Sequence, residues 1–191
     1  MKNQTFIGPV VLILLATLIA ACSGNTVTEP AVSVSDVFFI PEPAEPVITS
    51  GPVASSSEPA DQGPPVPGAS STLERSEDRA TMSLQTSDLE PGIYTVWWVI
   101  CPPSGSGEKM ALAVGQEVGQ DGMGDFEATL ERDDLGLEGD LRDAKVELIV
   151  RYHGPPIEGR IEEQKSDRDG GCDIDLDPCE NVQTAVHPGN G

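Results

Sequence analysis

The chain has 191 residues, with 32 Asp and Glu against 11 Lys and Arg, a formal net charge of −21. That balance excludes nucleic acid as a natural partner, because phosphate binding needs a basic patch, and it excludes a polybasic membrane-surface protein. Aromatic residues make up 4% of the chain, while 20 Gly and 17 Pro leave room for one core of moderate size plus a tether.

Lys2 gives a minimal positive start, and Phe6 to Ala21 form an uncharged apolar run of 16 residues. This is shorter than the roughly 20 residues a membrane span requires, and Pro9 interrupts it. The run ends in Ile19-Ala20-Ala21-Cys22, which resembles the lipobox of bacterial lipoproteins. The resemblance implies removal of residues 1–21, a thioether-linked lipid on Cys22, and an extracytoplasmic, membrane-anchored protein. Ser23 after the cysteine favours the outer membrane where a cell has one. An ordinary secretory signal or an uncleaved anchor is the plainer alternative.

Residues 22–78 read as a disordered tether. Ser23 to Asp78 holds nine prolines and nine acids with a single base, Arg75, and shows no strand or helix period. The apolar stretch Ala31 to Ile40 (AVSVSDVFFI) is the exception, either an edge strand for the domain, a partner-binding segment or a sticky patch.

Residues 79–191 read as one all-β domain. Ala80 to Thr86 alternates, a Pro91-Gly92 turn follows, and Ile93 to Cys101 (IYTVWWVIC) is apolar on both faces, as a central strand would be. Met110 to Val118 is a further strand, and Asp121-Gly122 is a hairpin signal. Asp125 to Glu131 turns Phe126, Ala128 and Leu130 inward, and Ala144 to His153 alternates again. A charged loop with a short helical turn near Leu135 to Leu141 lies between them. After a long acidic return, Asn181 to His187 is the last strand. Six short strands between Gly/Pro turns, without an amphipathic helix, predict an antiparallel β-sandwich, with a small barrel as the second choice.

Ala80 to Ile100, Gly119 to Leu130, Val150 to Gly159 and Cys179 to His187 together resemble a family of secreted bacterial proteins with no established activity. Looser similarity extends to immunoglobulin-like and superoxide-dismutase-like sandwiches. The resemblance implies a sandwich and says nothing about chemistry.

With Cys22 lipidated, Cys101, Cys172 and Cys179 remain. The short Gly/Asp/Pro loop favours a Cys172–Cys179 disulfide, leaving Cys101 free as a candidate intermolecular thiol in an otherwise monomeric protein. Pairing of Cys101 with one of the later two is the alternative. Candidate metal ligands are few. Asp173, Asp175 and Asp177 alternate as in calcium loops, but Pro178 and Thr184 stand where an EF-hand needs Gly and Glu. A weak Ca²⁺ site there, or none, is expected. His153 and His187 each follow a strand and would suit Zn²⁺ or Cu²⁺ if they met. Trp97 and Trp98 point to opposite faces of one strand, so one is core and the other is a candidate ligand platform or lies under a loop. No nucleophile elbow, P-loop or dinucleotide motif is present, and no catalytic residue is assigned. The expectation is a non-catalytic structural or ligand-binding module, with a metal-binding module as the alternative.

Overall fold

A computed structural model describes residues 44–56, 63–173 and 179–190. Eight strands run β1 (Val47–Ser55), β2 (Pro65–Arg75), β3 (Arg79–Thr86), β4 (Gly92–Cys101), β5 (Lys109–Val118), β6 (Gly124–Glu131), β7 (Lys145–Tyr152) and β8 (Glu180–His187). A 3₁₀ turn at Arg132–Leu135 and a short helix, α1 (Ile161–Ser166), complete the chain.

All eight strands form one sheet in the order β5-β4-β7-β8-β1-β2-β3-β6, each neighbouring pair antiparallel. The outermost strands β5 and β6 come back together, so the sheet curls into a nearly closed barrel. The expected sandwich, and with it the immunoglobulin-like and superoxide-dismutase-like layouts, is therefore wrong. The reason lies in β1. It pairs along most of its length with β2 and, through Ala54–Thr184 and Ser55–Gln183, also with β8, joining what would have been two sheets.

That join corrects the tether as well. β1 and β2 lie inside residues 22–78 yet belong to the sheet, so the domain starts before Arg79. The apolar run 6–21, Cys22 and the stretch 31–40 lie outside the described residues. Arg75, the single base of the expected tether, is fully buried. Its Nη1 donates to the Ala144 carbonyl at 2.6 Å and its Nη2 to Pro188 at 2.8 Å, tying β2 to the start of β7 and the end of β8.

The core fills the barrel chiefly from alternate positions of β2, β3, β4, β6 and β7: Leu73, Met82, Leu84, Val96, Trp98, Ile100, Phe126, Val146, Leu148 and Val150. β4 sits between β5 and β7 and is buried on both faces, as its sequence predicts. Trp98 is in the core. Trp97, one position earlier, faces outward and is only partly buried, because the chain between β7 and β8 folds over this side and α1 packs on β4 and β5. Gly115 permits that approach: a Cβ there would overlap the Lys165 carbonyl.

Cys172 and Cys179 are joined in a disulfide. Cys101 is disulfide-bonded too, and no free cysteine is present among the described residues. The proposed intermolecular role for a Cys101 thiol does not stand.

Candidate metal centre at the end of β7

β7 ends at Tyr152, and His153 is the first residue beyond the ladder. The chain then leaves the sheet, turns through α1 and returns to β8, so that Cys172 and Cys179 are brought back beside the His153 ring. Buried hydrogen bonds hold this excursion down. Gln164 on α1 is fully buried, and its Nε2 donates to the carbonyls of His153 (3.0 Å) and Pro155 (3.1 Å). Its Oε1 accepts from the Ile157 amide at 2.9 Å. Gly171, at φ +80°, leaves room for the Gln164 side chain. On the other side Arg151 reaches the Arg168 carbonyl, Asn181 Oδ1 and Asp169 Oδ1 at 2.8–2.9 Å.

His153 is 2% exposed and uses both ring nitrogens. Nδ1 lies 2.9 Å from the Gly170 carbonyl, which can only accept, so the proton is on Nδ1. Burial, the main cause, holds the imidazole below its ordinary pKa and keeps it neutral, against an opposing pull from the Gly170 hydrogen bond. Nε2 is then an acceptor. Thr95 Oγ1, at 2.7 Å, donates to it, and Trp97 Nε1 donates in turn to Thr95 Oγ1 at 2.8 Å. On the Nδ1 side stands Cys179 Sγ, 3.2 Å away.

The donor atoms of His153, Cys172 and Cys179 all lie within 4.8 Å of one another, close enough to hold a single metal ion. One imidazole and two sulfurs form a soft to borderline set, suited to Zn²⁺ or a copper ion and unsuited to Ca²⁺. This corrects the cofactor expectation of none or a weak Ca²⁺ site. Of the expected calcium ligands, Asp173 is exposed and Asp175 and Asp177 lie outside the described residues.

His187 does not join His153. It pairs with Val146 in the β7–β8 register, seven residues before His153 along β7, which puts the two about 23 Å apart at the usual strand rise. His187 is buried against β1 and β2 instead, with Ser71 Oγ 2.8 Å from its Nε2 and Thr49 Oγ1 3.0 Å from its Nδ1. The two strand-end histidines sit at opposite ends of an antiparallel pair. Sequence reasoning also missed Gln164 and Thr95, which carry no motif and gain meaning only once α1 covers β4.

A cavity of about 340 Å³ adjoins the cluster, lined by Tyr152, His153, Pro155, Ile157, Cys172 and Glu180 among others. Cys172 faces it, while Cys179 is buried at 7% exposure. Compared with protein-family models, with curated proteins and with solved structures, the chain matches none. The resemblance to secreted sandwich proteins thus has neither a matching family model nor the fold to support it.

Proposed function

We propose that this chain is an exported binding module without catalytic activity, and that His153, Cys172 and Cys179 form a transition-metal site when the disulfide is reduced. The observation that carries the metal reading is the convergence of one imidazole nitrogen and two sulfurs within 4.8 Å. In the disulfide the sulfurs are poor ligands, and Nδ1 carries a proton. Reduction yields two thiols that ionise on metal binding, and the ring proton moves to Nε2, where Thr95 Oγ1 accepts it. A fourth position open to water would complete a tetrahedral Zn²⁺ site. Equilibrium dialysis of the purified domain tests this: one Zn²⁺ per chain after anaerobic reduction and none in the oxidised form. Absence of stoichiometric metal in the reduced protein would refute the site.

Export rests on the apolar run Phe6 to Ala21, and disulfide-bonded Cys101, Cys172 and Cys179 suit an oxidising compartment. Mass analysis of the mature protein should show an N-terminus beyond the apolar run; a protein that retains Phe6 to Ala21 would contradict export by cleavage.

A further inference from the structure

We infer that the Cys172–Cys179 bond is an exchange site for external thiols, attacked at Cys172 and releasing Cys179. Two independent asymmetries point the same way. The first is access: Cys172 lines the cavity of about 340 Å³ beside Tyr152, Ile157 and Glu180, whereas Cys179 is buried beneath His153. The second is the leaving group. The hydrogen on His153 Nδ1, required by the Gly170 carbonyl at 2.9 Å, also lies beside Cys179 Sγ at 3.2 Å. A donor at one sulfur of the pair stabilises the charge that appears there when the bond breaks, and exchange rate depends on which sulfur is reachable and how well the other leaves.

The step is a displacement at sulfur. A thiolate RS⁻ forms a bond to Cys172 Sγ, the Cys172–Cys179 bond breaks, and its electron pair stays on Cys179 Sγ as a thiolate held by the His153 N–H. A second thiol then displaces Cys172 from the mixed disulfide, giving RSSR and both cysteines reduced, so the two electrons come from the two thiols. His153 acts here as a positioning residue. The inference needs the disulfide alone and holds whether or not the reduced site takes a metal. Should it hold, it supplies the route by which that site opens.

The test uses the oxidised protein with glutathione and EDTA, quenched with N-ethylmaleimide and mapped by peptide mass. Glutathione is expected on Cys172 in at least ~tenfold excess over Cys179, at denaturant concentrations that leave the fold intact. His153→Ala should slow exchange about tenfold, and His153→Asn, which keeps an N–H near the Nδ1 position, should recover part of the rate. Glutathione placed equally on both cysteines or mainly on Cys179 would overturn the inference, as would reduction that occurs only at the rate of global unfolding. The site of labelling is read on the unmutated chain, so it stands even if His153→Ala fails to fold. EDTA separates the result from the metal proposal, which dialysis tests on protein reduced by any route.

Discussion

Cys179 Sγ stands 3.2 Å from His153 Nδ1, while the far side of the same ring is 2.7 Å from Thr95 Oγ1. One side chain thereby couples the β7–β8 excursion to the outer face of β4. His153→Ala leaves the Gly170 carbonyl without the ring's N–H and the Thr95 hydroxyl without its acceptor and opens a void, and it should destabilise the domain by about 2–4 kcal/mol. Urea unfolding of the oxidised protein measures this. A loss below about 1 kcal/mol would mean the ring is not the tie it is described as.

The second histidine makes stability sensitive to acid. Burial, with Arg75 as the smaller cause, lowers the pKa of His187 from 6.5 to about 4. The folded state therefore resists a proton that the unfolded chain accepts. The stabilisation is complete above the unfolded value and is lost progressively as pH falls from about 6.5 to about 4, by roughly 3 kcal/mol in total. His187→Gln keeps a hydrogen-bonding partner for Ser71 and removes the titration. The difference in unfolding free energy between the two proteins should change with pH across that window and be flat above pH 7. A constant difference would contradict the assignment.

Glu147 acts with the opposite sign. It is buried in β7, where desolvation raises its pKa while the Thr184 hydroxyl, donating at 3.0 Å, partly offsets this. A carboxyl raised in the folded state costs stability once pH exceeds its folded pKa, where it must ionise while buried. Glu147→Gln retains an acceptor for Thr184. It should stabilise the domain at pH 8 and have little effect at pH 4, as read by thermal unfolding at the two pH values.

The boundary of the domain gives a further prediction. Arg75 holds the Ala144 and Pro188 carbonyls with its two Nη groups, and β1 bridges β2 and β8. A chain beginning at residue 44 should unfold cooperatively, whereas one beginning at Arg79 should lack a cooperative transition. Arg75→Lys cannot reproduce the two-pronged contact and should cost about 2–3 kcal/mol. A stable, cooperative fragment from Arg79 would restore the tether reading of residues 22–78.

These strands also show where the sequence is silent. β3, β6 and β7 are legible because apolar residues occupy alternate positions: Met82 and Leu84, Phe126 and Leu130, Val146, Leu148 and Val150. In β2 the inward positions include Ser71 and Arg75 beside Val66 and Leu73, so the alternation of hydrophobicity disappears although the alternation of burial remains. β1 carries Gly51 and Pro52 mid-strand. Pro52 lies where its register with β2 shifts, one of the few places a strand tolerates proline. Without β1 and β2 the remaining strands suggest a sandwich. With them the sheet is continuous. The site shows the same division. The Cys172–Cys179 pairing follows from loop length, but its meeting with His153 depends on Gln164 and Arg151 fastening an acidic excursion that has no periodicity to read.

The central claim is that His153, Cys172 and Cys179 act together on one ion, and cobalt substitution tests it most directly. Reduced protein titrated with Co²⁺ under anaerobic conditions should develop a near-ultraviolet thiolate-to-cobalt charge-transfer band and strong visible bands of a tetrahedral ion, saturating at one equivalent. Cys172→Ser should weaken the charge-transfer band, and oxidised protein should give neither. A weak octahedral spectrum in the reduced protein, identical to that of Cys172→Ser, would contradict the account.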